Sequence, residues 1–223
     1  MPAPYSVILV DLDGTVMDSA PGIIRSLTAA LQDLGHPVPP PAELVEFVGP
    51  PIFDGLRDVV GLTGRDAQAV LERYRARYRV TGAFEAVPYP GIRQVLEELR
   101  TLAPLAIATS KPESIAVRIL EHVGLDRCFT VIAGASDDDT RSAKADVVTR
   151  ALELLTARGV DVRTPVMIGD RSHDVEGAAA HGIPTIAAGW GYGSPEEVAG
   201  AVAVAATPAD VPALIAAGTP DRV

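Results

Sequence analysis

The stretch Val7-Ile-Leu-Val10-Asp11-Leu-Asp13-Gly14-Thr15 predicts a buried strand that ends in two carboxylates. Val7–Val10 is short and apolar on both faces, which is typical of a strand inside a parallel sheet. In open α/β sheets ligands bind outside the carboxyl ends of the strands, so Asp11 and Asp13 are expected where chemistry is possible. An Asp-x-Asp-Gly sequence is also a common turn, and a purely structural role stays open at this point.

Further short apolar runs recur along the chain, and helical patterns alternate with them. The other predicted strands are Leu105–Ala108, Val131–Ala133, Val166–Ile168, Ile183–Ala187 and a final one within Ala199–Ala206. The predicted helices of this part are Ile92–Leu102, Glu113–Val123, Ala145–Ala157 and Asp174–His181. This alternation predicts an α/β fold whose core is a doubly wound, Rossmann-like parallel sheet.

The interval from Asp18 to Ala86 has helical patterns and no strand pattern. Its predicted helices are Ile23–Leu34, Ala42–Phe47, Ile52–Val60 and Ala67–Arg79. Prolines and a glycine close the interval before the alternation resumes. We therefore predict an α/β core domain over residues 1–16 and 87–223, and an inserted α-helical cap domain over residues 17–86. The alternative is that these helices pack as extra elements on one side of the sheet.

Composition restricts the partners of the chain. Its 223 residues carry a formal net charge of −10, which disfavours nucleic acid and anionic membranes as partners. Cys128 is its one cysteine, so neither an intrachain disulfide nor a cysteine-based zinc site is expected. No window approaches the run of about 18 apolar residues that indicates a membrane span. A cytoplasmic monomer or homodimer is the expectation.

Polar side chains also follow two of the later predicted strands. Thr109-Ser110-Lys111 supplies two hydroxyls and an ammonium that can hold phosphate oxygens. Gly169-Asp170 ends another strand, and Asp174 follows four residues later. Because parallel strands end at the same edge of a sheet, these groups are expected to converge with the first two carboxylates. Clustered carboxylates need a hard cation, and Mg²⁺ with oxygen ligands suits them.

The lysines form a pattern of their own. The basic residues comprise 17 arginines and two lysines, Lys111 and Lys144. Lys111 follows the hydroxyl pair, and Lys144 begins a predicted helix after the next strand. A compact point charge suits pairing with a carboxylate or a phosphoryl oxygen, so both lysines are predicted near the site. The alternative is that the two lysines lie there by chance.

These motifs occur together in a fixed order. They are Asp11-Leu-Asp13-Gly14-Thr15, Thr109, Lys144 and Gly169-Asp170-x-x-x-Asp174. The ordered set resembles the haloacid dehalogenase-like hydrolase superfamily, in its phosphoglycolate phosphatase-like branch with a helical cap. The resemblance extends from Tyr5 to about Leu214.

The resemblance implies a role for each motif. Asp11 would be the nucleophile that forms an aspartyl-phosphate, and Asp13 would protonate the leaving alcohol and then activate water. Lys144 would neutralise the charge on Asp11 and on the phosphate. Phosphate binding would fall to Thr109 and to backbone amides around Gly14. The Mg²⁺ ligands would be Asp11, the backbone carbonyl of Asp13, Asp170 and, directly or indirectly, Asp174.

Several positions depart from the family pattern or are less specific. Ser110 stands where many relatives have asparagine, although its hydroxyl still allows phosphate binding. Lys111 is an alternative to Lys144 for the neutralising role. Gly49-Pro50-Pro51 resembles a substrate-specificity loop of capped relatives, and a plain turn between helices is the alternative. Gly189–Gly193 lacks the spacing of a dinucleotide-binding fingerprint and is interpreted as a loop beside the site.

The expected function is Mg²⁺-dependent hydrolysis of a small phosphorylated metabolite, with phosphoglycolate as one such substrate. Phosphate monoesters are dianions that repel nucleophiles, so a metal and a lysine must cancel this repulsion. Dehalogenases of the superfamily do not need an aspartate at the position of Asp13, and its presence favours phosphoryl transfer. The alternatives are a nucleoside 5′-monophosphate phosphatase, hydrolysis of pyrophosphate, a β-phosphoglucomutase-type phosphomutase and a non-catalytic binding protein.

Overall fold

The computed structural model describes residues 4–138 and 140–218 of the chain. The strands in this part are β1 (Val7–Val10), β2 (Met17–Asp18), β3 (Val87–Pro88), β4 (Leu105–Pro112), β5 (Val131–Ala135), β6 (Pro165–Gly169), β7 (Thr185–Ala188) and β8 (Ala203–Ala205). The α-helices are α1 (Ala20–Asp33), α2 (Pro41–Leu44), α3 (Ile52–Asp58), α4 (Gly64–Tyr78), α5 (Ile92–Leu102), α6 (Glu113–His122), α7 (Lys144–Ala157), α8 (Ser172–Ala179) and α9 (Val211–Ala217).

The described residues divide into two compact units. One comprises the chain up to Met17 and from Pro88 onward, and the other is Asp18–Val87. β2 and β3 form a two-stranded sheet where the chain passes from one unit into the other and back. The assignment of Asp18–Val87 as a cap over the site stays a prediction.

The first unit contains a six-stranded sheet in the order β5-β4-β1-β6-β7-β8. Every pairing in it is parallel, and the register places Ile8 of β1 between Leu105 of β4 and Val166 of β6. Residues Val7–Val10 are at most 2% exposed, as expected of a parallel strand that is covered on both faces. The prediction of an α/β fold with a doubly wound, Rossmann-like parallel core is confirmed.

Amphipathic helices cover the sheet. The buried residues of α5 recur at the spacing of one helical face, and α7 packs against β4 and β5. Val147, Val148 and Ala151 of α7 share a core cluster with Val7 and Leu9 of β1. This packing fixes the axis of α7, and the first residue of that helix therefore lies at the carboxyl edge of the sheet.

The strand order creates a place for a ligand. From β1 the chain continues to β4 and β5 on one side, and then crosses to β6, β7 and β8 on the other. The carboxyl ends of β4, β1 and β6 are therefore neighbours at the point where the strand order reverses. In open α/β sheets this switch point is where ligands bind.

The second unit is built from α1 to α4 and short 3₁₀ turns. α1 packs against α4, with Leu27 and Leu31 of the first helix and Val70 of the second fully or nearly fully buried. Tyr74 and Tyr78 stack with their ring centroids 5.3 Å apart. The predicted helix Ala42–Phe47 is divided into α2 and a 3₁₀ turn at Val45–Phe47.

Several elements differ from the sequence prediction. Asp18 belongs to β2, although no strand was predicted between Asp18 and Ala86, and the short strand β3 (Val87–Pro88) was not predicted either. The final strand is only Ala203–Ala205, because the residues before it form turns in which the Ala201 N–H donates to the Val198 carbonyl. Helix α9 was not predicted, and its buried residues are Val211, Pro212 and Ile215. Among the described residues, none of the helices has both the length and the apolar character needed to cross a membrane.

The contact between α7 and α8 gives a test of this packing. A Cβ atom added at Gly177 of α8 would lie 2.5 Å from Cγ of Lys144. Intrinsic helix propensity favours alanine by about 1 kcal/mol, but overpacking costs about 1–3 kcal/mol. We therefore expect Gly177→Ala to lower the free energy of unfolding in urea.

The matched control for that substitution is Glu176→Gly, at an exposed position of the same helix. It is expected to lose about 1 kcal/mol or less, through propensity alone. A Gly177→Ala protein more stable than the wild type would show that the close approach of Gly177 to Lys144 is not a real constraint.

Candidate active site

Asp11 and Lys144 form a buried ion pair at the carboxyl end of β1. The Asp11 N–H donates to the Ile168 carbonyl at 2.9 Å, which extends the ladder with β6 by one residue. The Lys144 ammonium, on the first residue of α7, donates to Asp11 Oδ1 at 2.7 Å and to the Ala108 carbonyl at 3.0 Å. Each side chain is 5% exposed. The pair therefore joins β1, β4 and α7 through one cation.

Asp174 holds the same ammonium from the other side. Its Oδ1 lies 2.6 Å from Lys144 Nζ, and its Oδ2 accepts hydrogen bonds from the Asp170 and Arg171 N–H groups at 3.0 Å each. Asp174 is thus both the residue that caps the first turn of α8 and a partner of Lys144. Both carboxylate oxygens have protein partners, so this residue holds Lys144 in position, and its role as a metal ligand stays a prediction.

Asp170 is oriented by a hydroxyl and a backbone amide. The Thr15 hydroxyl donates to Oδ1 at 3.2 Å, and the Tyr192 N–H donates to Oδ2 at 2.8 Å. Gly14 has a φ of +81°, and a Cβ at this position would overlap the Asp170 carboxylate. The Gly14 N–H donates to the Met17 carbonyl at 2.9 Å. Gly14 therefore contributes space for Asp170, and a role in phosphate binding for the backbone amides around Gly14 stays a prediction.

Three carboxylates form a compact buried cluster. Asp11, Asp170 and Asp174 each offer an oxygen, and these atoms all lie within 4.8 Å of one another. Burial raises the pKa of Asp11 to about 7, an effect that Lys144 opposes and Asp174 reinforces. Burial and the negative charges of Asp174 and Asp11 raise the pKa of Asp170 well above its usual range. Burial lowers the pKa of Lys144, but the charges of Asp11 and Asp174 outweigh it and raise the value.

The donor set fits a hard divalent cation. It consists of buried carboxylate oxygens. Burial and mutual repulsion raise the pKa values of Asp11 and Asp170, and a bound cation would lower them. Oxygen ligands of this kind suit Mg²⁺. Asp11, Asp170 and Asp174 are the residues of the described part of the chain that would hold such a cation.

The end of β4 brings a second lysine to the site. The pairing of β4 with β5 shifts register between Thr109 and Pro112, and the Thr109 hydroxyl oxygen accepts a hydrogen bond from the Lys111 N–H at 3.3 Å. The Lys111 ammonium lies 2.7 Å from Asp13 Oδ2, with both side chains about 5% exposed. Lys144 contacts Asp11, whereas Lys111 contacts Asp13, so the two lysines have different partners.

The structure brings most of the predicted site residues onto one edge of the first unit. These are Asp11, Asp13, Gly14, Thr109, Lys111, Lys144, Asp170 and Asp174, with Ser110 half-buried beside them. Gly49 and Pro50 belong to the other unit, where they are half-buried between a 3₁₀ turn and α3. A role for these two residues in substrate binding stays a prediction.

Some contacts of the site were not predicted from the sequence. Thr15 and the Tyr192 N–H orient Asp170, and the Trp190 indole N–H donates to the Thr15 carbonyl at 3.0 Å. Cβ atoms at Gly191 or Gly193 would overlap Asp170, so the loop after β7 must approach it closely. The glycine-rich stretch Gly189–Gly193 was the available signal for this approach.

At its switch point the parallel sheet carries a buried cluster of aspartates and lysines, an arrangement that suits phosphoryl-transfer chemistry. The chain belongs to the haloacid dehalogenase-like hydrolases, whose family profile matches residues 8–188. The predicted membership of this family is confirmed.

Three proteins are similar in sequence to most of this chain. It is 48% identical to the tyrosine-protein kinase PtkA of Mycobacterium tuberculosis, over 84% of this chain and 63% of that protein. The chain therefore spans less than two thirds of the length of PtkA. It is 39% identical to a 5′-nucleotidase of Pseudomonas aeruginosa, over 87% of both proteins. It is 35% identical to a phosphoglycolate phosphatase of Chromobacterium violaceum, over 83% of this chain and 85% of that one.

Solved structures agree with the fold. The crystal structure of a predicted phosphatase from Clostridium acetobutylicum matches this chain with a TM-score of 0.87 and 34% identity. The match covers 94% of this chain and 97% of the other.

The repulsion within the carboxylate cluster predicts the behaviour of Asp170→Asn. An amide can accept from the Tyr192 N–H and donate to the Thr15 hydroxyl, and it removes one buried charge. We expect the metal-free variant to melt at least about 2 °C higher than the wild type in EDTA. We also expect Mg²⁺ to raise the melting temperature of the wild type and not that of the variant. The exposed substitution Asp161→Asn should keep the response to Mg²⁺, and an unchanged response in Asp170→Asn would exclude Asp170 as a ligand.

The raised pKa of Asp11 predicts how metal-free stability depends on pH. The folded protein keeps the Asp11 proton up to about pH 7, whereas the unfolded chain releases it near 3.8. The folded state binds more protons than the unfolded chain in this window. The contribution of Asp11 to the free energy of unfolding therefore falls as the pH rises from about 4 to 7, and then levels off. Melting in EDTA should show this slope in the wild type and a weaker slope in Asp11→Asn. Equal slopes in the two proteins would contradict the assignment.

Proposed function

We propose that this phosphatase hydrolyses a small phosphomonoester in a Mg²⁺-dependent reaction through an aspartyl-phosphate on Asp11. The observation that supports it best is the buried contact of 2.7 Å between Lys144 Nζ and Asp11 Oδ1 at the switch point of the sheet. The ammonium engages Oδ1, and we assign the attack on phosphorus to Oδ2. Covalent capture divides one difficult displacement into two easier ones.

The electrostatics of the site suit a dianionic substrate. Asp11, Asp170 and the backbone carbonyl of Asp13 would hold Mg²⁺, which when bound would neutralise charge on the phosphoryl oxygens. Asp174 keeps Lys144 in place through the 2.6 Å contact with its Oδ1. Lys144 then reduces the repulsion between the Asp11 carboxylate and the substrate. The Thr109 hydroxyl and Ser110 lie at the end of β4, where they can donate to phosphoryl oxygens.

We assign the proton transfers of both steps to Asp13. As an acid it donates a proton to the leaving alcohol oxygen while the P–O bond breaks. As a base it then takes a proton from a water molecule. The oxygen of this water attacks phosphorus and displaces Asp11, which regains its carboxylate form. Asp13 Oδ1 is buried and has no hydrogen-bond partner among the described residues, which supports this assignment.

The relatives support two substrate classes. Similarity to phosphoglycolate phosphatases favours a small phosphorylated carboxylic acid. A nucleoside 5′-monophosphate is the second candidate, and it is favoured by the 5′-nucleotidase relative that matches over 87% of both proteins. PtkA is named as a tyrosine-protein kinase, and this chain spans 63% of its length. A cytoplasmic location and a monomeric or homodimeric state stay predictions.

Phosphate release from a panel of phosphomonoesters tests the proposal. The panel contains phosphoglycolate, nucleoside 5′-monophosphates, sugar phosphates and pyrophosphate, each with Mg²⁺ and with EDTA. We expect Mg²⁺-dependent release and a loss of at least about 10³-fold in kcat for Asp11→Asn, because the nucleophile is missing. Asp161→Asn, an exposed change of the same chemistry, should retain wild-type activity. Equal activity of Asp11→Asn and the wild type would rule out Asp11 as the nucleophile.

A further inference from the structure

The two lysines of the chain each pair with one aspartate of the loop after β1. Lys144 Nζ lies 2.7 Å from Asp11 Oδ1, and Lys111 Nζ lies 2.7 Å from Asp13 Oδ2. All four side chains are at most 6% exposed. The first pair supports the nucleophile. The second pair raises the question of what Lys111 does for Asp13.

The irregular end of β4 aims Lys111 at Asp13. Beyond Thr109 the pairing with β5 loses its regular register until Pro112 pairs with Ala135. Such irregularities redirect side chains at sheet edges and near active sites. The Lys111 N–H donates to the Thr109 hydroxyl oxygen at 3.3 Å, which fixes the backbone at the turn. The backbone and the side chain of Lys111 thus both have defined contacts within the site.

Asp13 has a fixed backbone and a side chain that needs an anchor. The Val16 and Met17 N–H groups both donate to the Leu12 carbonyl at 2.9 Å, which closes the turn around Asp13. Lys111 holds Oδ2, whereas Oδ1 is buried without a hydrogen-bond partner in the described part of the chain. A buried polar atom without a partner costs about 1–3 kcal/mol, so Oδ1 is expected to gain its partner when substrate arrives.

We propose that Lys111 is a positioning residue that acts through Asp13, by holding Oδ2 so that Oδ1 faces the leaving oxygen of the substrate. This inference rests on the proposed function. In the first step the Oδ1 proton moves to the leaving oxygen, which keeps the electron pair of the broken P–O bond. In the second step Oδ1 takes a proton from water as the water oxygen attacks phosphorus, and the electron pair of the phosphorus–Asp11 bond returns to Asp11. Lys111 keeps its own protons throughout.

The competing role for Lys111 is direct binding of the phosphoryl oxygens. The two roles differ in their dependence on the leaving group. A nitrophenolate can leave without gaining a proton, whereas an alkoxide must receive a proton from an acid as it leaves. The value of kcat/KM reports the steps up to departure of the leaving group, so it isolates the acid step. We expect Lys111→Met to lower kcat/KM for the best alkyl phosphate about tenfold or more beyond its effect on p-nitrophenyl phosphate. An equal loss on both substrates would overturn the proposal.

A double-mutant cycle gives an independent readout on the alkyl phosphate alone. If Lys111 acts through Asp13, then Lys111→Met should cost about twofold or less in kcat/KM once Asp13 is replaced in Asp13→Asn. A loss in that background as large as in the wild type would show that Lys111 acts on the phosphoryl group. Lys111→Arg, which keeps a charged donor, should lose less activity than Lys111→Met.

Controls separate this inference from folding and from the proposed function. Arg163→Met removes the cation of the exposed pair with Asp161 and should leave kcat/KM unchanged for both substrates. Melting curves verify that each variant folds, and Lys111→Gln replaces Lys111→Met if the latter does not. A wild type that releases no phosphate from any substrate contradicts the proposed function itself. An active wild type with a uniform effect of Lys111→Met contradicts only the role of Lys111.

Discussion

The repulsion among three buried carboxylates is the constraint on which the site depends. Asp11, Asp170 and Asp174 bring their oxygens within 4.8 Å of one another, at 1–4% exposure. Lys144 lies against two of them, and the Ala108 carbonyl accepts a further hydrogen bond from its ammonium. Without this cation the cluster would hold uncompensated charge in a region of low polarity. The fold must therefore place one lysine against this cluster.

The architecture meets that requirement with two pieces of geometry. The strand order places β1 between β4 and β6, so the loops that carry Asp11 and Asp170 are neighbours. The core packing of α7 against β4 and β5 then sets the first residue of that helix, Lys144, beside both. Glycines at positions 14 and 177 supply the space that the Asp170 carboxylate and the Lys144 stem occupy. Stability and chemistry thus share the same contacts.

Local patterns in the sequence were sufficient for the strand ends and not for the contacts between them. The strand Val7–Val10 has the predicted bounds, because a short apolar run that ends at a carboxylate is typical of a buried parallel strand. The partner of Lys144 lies 133 residues away in sequence, and that of Thr15 lies 155 away. Such pairs depend on sheet order and helix packing, which a local pattern does not encode. The resemblance to a family supplied the first pair and not the second.

Asp174 and Lys111 illustrate the same limit in different ways. The four-residue interval between Asp170 and Asp174 was read as a metal motif, yet it also builds the first turn of α8, where Asp174 accepts two backbone N–H groups. Lys111 was expected at the phosphate, and the irregular end of β4 places it against Asp13. Both assignments required distances between side chains. The roles of Asp174 as a metal ligand and of Lys111 in phosphate binding stay predictions.

The most direct test of the account is to trap the covalent intermediate. The wild type is mixed with its best phosphomonoester and Mg²⁺, quenched in acid within the first turnover, and analysed by intact mass and peptide mapping. We predict a phosphoryl group on the peptide that contains Asp11, and none on Asp11→Asn. Phosphate release at the full rate without any protein-bound phosphoryl group, or with that group on another residue, would contradict the account.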